Sequence, residues 1–157
     1  MGILKVRDYY TKDPVVISRE TTLRKISEII LKDKYSVIPV INENRECIGI
    51  VTVAELLSVF IPEYLDLFEN IEFALNIDFE LEISAFIDDL IIAEDIIRED
   101  IPMVTPETNL VIAVAQLNKY KITGVPVQED GKVVGIITLK DIISGLICYK
   151  NSCPIDL

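Results

Sequence analysis

The chain has 157 residues, close to the size of one ordinary domain, and 50% of them are hydrophobic, so we expect a packed core rather than disorder. A formal charge of -11 argues against a nucleic-acid-binding surface and against a polybasic membrane anchor. The chain has no histidine, three cysteines and no apolar run of membrane-spanning length. We therefore expect no metal site, no disulfide framework and a reduced, cytoplasmic setting.

The negative charge is concentrated in the middle of the chain. Residues 46–97 hold 13 of the 26 acidic residues and none of the 15 basic ones, which gives -13 against +2 for the rest. Because this segment is also rich in Leu, Ile and Phe, we expect a folded, solvated acidic helix face. A dedicated docking surface for another protein is the alternative.

An internal repeat organises the rest of the chain. Shifted by 87 residues, the first part aligns with the last, as in the pairs Leu23/Leu110 and Pro39/Pro126. One deletion in the following turn reduces the shift to 86. The predicted organisation has four parts: repeat 1 at 4–61, an acidic helical linker at 62–90, repeat 2 at 91–147 and a C-terminal tail at 148–157.

Each repeat has the pattern of a β-α-β-β-α unit. A short strand is predicted at 15–17 and at 103–104, and a hairpin follows the first helix of each repeat. The helices are predicted from apolar residues at helical spacing: Leu23, Ile26, Ile29 and Ile30 in repeat 1, and Leu110, Ala113, Val114 and Leu117 in repeat 2. The second helix of each repeat is predicted to begin at Thr52 or Thr138.

The linker is predicted to form one or two short helices that pack on the body of the protein, with Phe79, Phe86 and the apolar residues at 90–92 in the contact. One repeat of about 57 residues buries only a marginal core by itself. We therefore expect an α+β fold in which the two repeats share a core, with two equivalent clefts related by a pseudo-twofold axis.

Thr138 stands where a buried strand gives way to a helix, and Asp141 follows three residues later. This spacing is close to a capping box, in which both side chains satisfy free backbone donors. The same helix N-terminus also suits an anion: Thr138 can donate to a phosphate, and Asp141 can accept from two ribose hydroxyls. Gly135 would let a ligand approach the backbone. The sequence alone leaves both interpretations open.

The doubled unit, its Ile/Val-Pro-Val strand and its Gly-x-x-Thr-x-x-Asp/Glu ending resemble the cystathionine-β-synthase (CBS) domain. Two copies resemble a CBS pair, or Bateman module, and the linker sequence at 62–65 looks like that of some free-standing bacterial modules. The resemblance covers both repeats. It implies clefts for an adenosine-containing ligand such as AMP, ADP, ATP or S-adenosylmethionine, and a homodimer formed through helices.

By this resemblance, phosphate binds at Thr138, ribose at Asp141, and the base rests on the partner repeat. The residues expected in this better cleft, the Thr138 cleft, are Thr138, Asp141, Lys140, Gly135, Tyr10, Val15, Val16, Tyr35, Ser36 and Val37. Tyr10 and Tyr35 either stack on adenine or serve ordinary packing. The weaker, mirror cleft, the Thr52 cleft, would use Thr52, Glu55, Ile97, Pro102, Met103, Ile122, Thr123 and Gly124.

The resulting hypothesis is a regulatory module without catalysis that binds an adenosine-type ligand and signals by conformational change to its dimer or to an effector protein. The alternative is a structural or protein-interaction module with empty clefts that docks a partner through the acidic linker. An enzyme is disfavoured because the chain has no histidine, no P-loop and no cysteine with a partner base.

Overall fold

A computed structural model describes residues 3–33, 35–60 and 87–150. A 3-10 turn at Val6–Asp8 precedes the first strand. The elements are, in chain order, β1 (Thr11–Lys12), α1 (Leu23–Asp33), β2 (Val37–Ile41), β3 (Cys47–Thr52), α2 (Val53–Ser58), α3 (Ile87–Leu90), α4 (Ala93–Ile96), α5 (Leu110–Tyr120), β4 (Gly124–Glu129), β5 (Lys132–Thr138) and α6 (Leu139–Lys150).

The helix–hairpin–helix order predicted for each repeat is confirmed. Strands β2 and β3 pair antiparallel with Pro39 opposite Ile50, and β4 and β5 pair with Pro126 opposite Ile136. Both hairpins carry a register irregularity at the same place, after the valine that follows the proline. The two repeats therefore fold into hairpins of the same register, as their sequence alignment requires.

The first strand predicted in each repeat is shorter than expected. Ile17 forms a single parallel bridge with Val40, and Val104 forms the equivalent bridge with Val127. Each residue is buried, so the apolar character that suggested a strand reflects burial beside the hairpin rather than an extended ladder.

The segments that lead into the two repeats are exchanged. Strand β1 precedes repeat 1, yet it pairs with β5 of repeat 2, with Thr11 opposite Ile136, in a sheet of order β1-β5-β4. Arg98, at the start of repeat 2, bridges to Ile50 on β3 of repeat 1. Backbone pairing therefore joins the repeats through both of their entering segments, and the space between them forms the clefts.

The buried residues form two hydrophobic clusters, one centred on each repeat, and each also contains residues of the other repeat. Val6 is fully buried with repeat 2, and Ala93 is fully buried with repeat 1. Fully burying a valine side chain such as that of Val6 contributes about 1.5–3 kcal/mol. The predicted core faces of α1 and α5 are confirmed except at Val114, which is 37% exposed.

The packing predicted for the linker residues is only partly seen in the structure. Phe79 and Phe86 lie outside the described residues. Leu90 is 75% exposed, so its predicted contact with the body is wrong, while Ile91 does pack against the repeat-1 cluster. No helix in the described ranges is long and apolar enough to cross a membrane.

Candidate functional site

Thr138 and Asp141 cap the N-terminus of α6. The backbone N–H and the hydroxyl of Thr138 both donate to Asp141 Oδ2 at 2.8 Å, and Asp141 N–H donates back to Thr138 Oγ1 at 3.3 Å. The other carboxylate oxygen, Oδ1, accepts a long hydrogen bond of 3.4 Å from the Thr11 hydroxyl. One oxygen of Asp141 is thus committed to the cap, and the other faces the exchanged strand β1.

The matching junction in repeat 1 has the same cap. Thr52 N–H donates to Glu55 Oε2 at 2.9 Å, and the Thr52 hydroxyl forms a short hydrogen bond with the same oxygen. Ala54 N–H donates to Thr52 Oγ1 at 3.1 Å. The extra methylene of Glu55 therefore does not prevent it from capping its helix.

A cavity of about 490 Å³ opens beside the α6 cap, between the two repeats. This volume lies within the range of small-molecule sites, about 300–1,000 Å³. Its walls combine apolar side chains with hydroxyls, two carboxylates and one ammonium group. The lining residues are Thr11, Asp33, Tyr35, Ser36, Val37, Thr123, Ile136, Thr138, Leu139, Lys140 and Asp141.

Most of the polar residues predicted for the Thr138 cleft lie together in this cavity. The predicted members that line it are Thr138, Lys140, Asp141, Tyr35, Ser36 and Val37. Thr123, predicted for the mirror cleft, lines it as well, and its hydroxyl donates to Ser36 Oγ at 3.1 Å. This hydrogen bond links the two repeats at the wall of the cavity.

The other predicted members lie elsewhere. The Tyr10 ring packs over Gly135, and it fills the space that the glycine leaves beside β5. Val15 packs against the repeat-1 cluster. Val16 lines a separate surface cavity of about 440 Å³ beside the β2–β3 turn. Close packing of Tyr10, rather than access for a ligand, therefore explains the glycine at 135.

At the start of repeat 2 an arginine holds the backbone position that Thr11 holds in repeat 1. Arg98 pairs with Ile50 as Thr11 pairs with Ile136, and its Nη2 donates to the backbone oxygen of Tyr120 at 2.8 Å. The guanidinium thus reaches from the edge of β3 to the C-terminal end of α5.

The remaining residues predicted for the Thr52 cleft are spread around it. Ile97 packs its side chain against the glycine at position 49, and Ile122 is buried in the repeat-2 cluster. Met103 is 39% exposed, and Pro102 is half-buried. Gly124 is paired with Thr138, so it belongs beside the other cleft.

Sequence reasoning missed four residues of the cavity: Thr11, Asp33, Ile136 and Leu139. Ile136 and Leu139 lie at unspecified positions inside the motif at 135–141 that contains Thr138, so the motif itself was the signal that could have found them. Thr11 and Asp33 carry no motif. Thr11 enters the cavity because β1 crosses to repeat 2, and Asp33 ends α1 at the cavity mouth.

In residues 3–33, 35–60 and 87–150, no group of three or more Cys, Asp or Glu side chains is placed to hold a metal ion. Burial raises the pKa of the Cys47 thiol, whose Sγ donates to the Gly49 carbonyl at 3.3 Å. A raised pKa keeps this thiol protonated and unreactive at neutral pH.

Comparisons with known proteins agree with this architecture. The family model of the CBS domain matches residues 6–62 and 93–147. A protein of Methanocaldococcus jannaschii, MJ1426, is 27% identical over 92% of each chain.

Two solved structures have the same fold. The CBS domain pair of MJ0100, solved with 5'-methylthioadenosine and S-adenosyl-L-methionine, has a TM-score of 0.69 at 22% identity and covers 96% of this chain and 100% of its own. CBSX2 of Arabidopsis thaliana, solved with AMP, has a TM-score of 0.69 at 24% identity and covers 94% of this chain and 98% of its own. The chain therefore belongs to the CBS-domain family, as a tandem pair of CBS domains.

Proposed function

We propose that the chain is a non-catalytic regulatory module that binds an adenosine-containing ligand in the Thr138 cleft and signals by conformational change. The observation that carries the proposal is the cavity of about 490 Å³ at the capped N-terminus of α6. The complexes of MJ0100 and CBSX2, which hold adenosine-type ligands, support it.

The groups around the cavity suit the three parts of such a ligand. Asp141 Oδ1 keeps lone pairs for ribose hydroxyls, because the cap uses the other oxygen. Lys140 and the positive end of the α6 dipole favour a phosphate or a carboxylate. The apolar surfaces of Val37 and Ile136 give the base a place to rest. Asp33 at the mouth disfavours a ligand with several negative charges.

The test is calorimetric titration of the purified chain with AMP, ATP and S-adenosylmethionine. We expect at least one of them to bind with a dissociation constant well below millimolar. A mass spectrum of protein purified without added ligand would reveal a retained nucleotide. If none of the three binds below millimolar and no nucleotide is retained, the proposed function is wrong, and an interaction module with empty clefts takes its place.

Signalling requires the ligand to favour one of two conformations. We propose that the ligand changes the relative position of the repeats, and that the module acts as a homodimer, as the family resemblance implies. Hydrogen exchange with and without the ligand tests the first statement. We expect added protection at the Ser36–Thr123 contact, and unchanged exchange there would refute this route of signalling.

A further inference from the structure

Two charged residues of the Thr138 cleft stand at helix ends that disfavour their charge. Asp33 is the last residue of α1, where the carbonyl end of the helix dipole is negative. Lys140 is the second residue of α6, where the amide end of the dipole is positive. Both side chains are exposed to solvent and line the cavity of about 490 Å³. The stability of the two helices therefore explains neither residue.

The equivalent positions of the other repeat are uncharged. At the shift of 87, Asp33 corresponds to Tyr120, and at the shift of 86, Lys140 corresponds to Ala54. Helix α5 ends at Tyr120 after 11 residues, as α1 ends at Asp33 after 11 residues. Ala54 is the second residue of α2, as Lys140 is the second residue of α6. The fold of a repeat therefore requires neither charge.

The charges of Asp33 and Lys140 are not neutralised by the part of the chain that the structure describes. Neither side chain forms an ion pair or a hydrogen bond with a residue of that part. Lys32, in the same turn of α1 as Asp33, does not line the cavity. The second carboxylate of the cavity, that of Asp141, is committed through one oxygen to the α6 cap. Asp33 and Lys140 therefore offer the cavity one negative and one positive group that the fold does not use.

We propose that Asp33 and Lys140 select an adenosine whose 5' substituent carries both a positive and a negative group. Lys140 and the amide end of α6 bind the negative group, a carboxylate. Asp33 binds the positive group, an ammonium or a sulfonium, and repels additional phosphates. The preferred ligand is thus an amino-acid derivative of adenosine rather than a nucleoside polyphosphate. This inference rests on the proposed function and names the ligand class of the same cleft.

Calorimetric titration of the full chain with five adenosine ligands separates the effect of charge from that of the nucleoside. S-adenosylmethionine carries a sulfonium, an ammonium and a carboxylate, and S-adenosylhomocysteine lacks the sulfonium. 5'-Methylthioadenosine is uncharged, and AMP and ATP carry only phosphates. We expect S-adenosylmethionine to bind most tightly and ATP, without magnesium, most weakly. High salt should narrow this range of affinities, because both side chains are exposed.

Two variants test the two charges separately. Asp33→Asn should weaken S-adenosylmethionine and strengthen ATP, each by about three- to fivefold, and should leave 5'-methylthioadenosine unchanged. Lys140→Ala, which gives α6 the residue of α2, should weaken S-adenosylhomocysteine and AMP by a similar factor and also leave 5'-methylthioadenosine unchanged. Neither variant should lower the melting temperature, since each removes a charge that its helix dipole disfavours. A purely structural role would give the opposite result, a lower melting temperature with unchanged ligand preference.

Glu43→Gln is the matched control, because it changes the net charge as Asp33→Asn does but lies on the β2–β3 turn, outside this cavity. It should change none of the five affinities. ATP binding as tightly as S-adenosylmethionine, or a preference that Asp33→Asn leaves unchanged, would overturn this inference. In that case, binding of AMP or 5'-methylthioadenosine would still support the proposed function. If none of the five ligands binds, both proposals are wrong.

Discussion

Thr11 and Arg98 hold the same place in the two clefts. Each pairs its backbone with the middle of a hairpin strand of the other repeat, Thr11 with Ile136 and Arg98 with Ile50. The Thr11 side chain is short and lines an open cavity, whereas the Arg98 guanidinium reaches the Tyr120 carbonyl at 2.8 Å. The side chains at this pair of positions thus differ in length, charge and hydrogen bonding.

We predict that Arg98→Thr opens the Thr52 cleft to a second ligand. Removing the guanidinium leaves the side chain that the better cleft has at this position. Calorimetric stoichiometry should rise from one ligand per chain toward two, with a modest loss of stability because a charged hydrogen bond is removed.

The reciprocal substitution is the control for this prediction. Thr11→Arg should fold, because arginine already occupies the equivalent backbone position, and it should abolish binding at the Thr138 cleft. If Arg98→Thr lowers the affinity instead, then Arg98 binds the ligand in the wild type, and the prediction that its side chain blocks a second ligand is wrong.

Asp141→Ala should lower both stability and affinity, because its two oxygens have different roles. Loss of the cap through Oδ2 should cost about 0.5–2 kcal/mol of folding free energy. Loss of the acceptor Oδ1 should weaken ligand binding about ten- to 150-fold, equivalent to about 1.5–3 kcal/mol. Thermal unfolding and calorimetric titration measure the two effects separately.

Glu55→Ala is the companion variant. It removes the same kind of cap from α2, so it should lower stability by a similar amount while leaving affinity at the Thr138 cleft unchanged. Equal affinity for Asp141→Ala and the wild type would mean that the carboxylate serves only the helix cap.

The repeat and its hairpins could be predicted because each is specified locally: helical spacing in α1 and α5, and a proline-centred strand followed by a polar turn. The exchange of entering segments could not be predicted in this way, because Thr11 and Lys12 are exposed residues with no apolar pattern. The sequence therefore indicates Thr138 and Asp141, whose chemistry depends on three residues of spacing, and misses Thr11, whose position depends on pairing across 125 residues. Helical spacing also gave a wrong prediction for Val114, because it placed this side chain in the core, whereas the side chain is 37% exposed.

Glu107 gives the fold a contribution that depends on pH. It accepts from Lys5 Nζ at 2.5 Å and from Arg7 Nη1 at 2.7 Å, which ties the first residues of the chain to repeat 2. The hydrogen bond from Lys5, aided by the charge of Arg7, holds the pKa of Glu107 below its ordinary value of 4.5. A lowered pKa in the folded state stabilises the fold above pH 4.5, and this stabilisation is lost as the pH falls through the folded value.

We therefore expect Glu107→Gln to reduce the difference in melting temperature between about pH 6 and pH 3, by a small amount because the group is exposed. High salt should reduce this difference in melting temperature more for the wild type than for the Glu107→Gln variant. Glu129→Gln, at the end of β4, serves as the control. If both variants respond to pH alike, the ion pairs of Glu107 contribute nothing specific.

Gly135→Ala should destabilise the joint between the two repeats. A methyl group there would overlap the Tyr10 ring and would lie 2.5 Å from the Thr11 carbonyl oxygen, which belongs to the backbone of β1 and cannot move freely. Overpacking of this kind costs about 1–3 kcal/mol, and here it should act on the β1–β5 pairing first. Chemical denaturation should show the loss, and hydrogen exchange should rise at Thr11 and Lys12.

Gly124→Ala is the mild comparison, since its nearest contact is a side-chain methyl at 3.3 Å. Because β1 forms one wall of the Thr138 cleft through Thr11, the affinity for the ligand should fall together with the protection of β1. A Gly135→Ala chain that keeps wild-type exchange at β1 would show that Tyr10 can move aside.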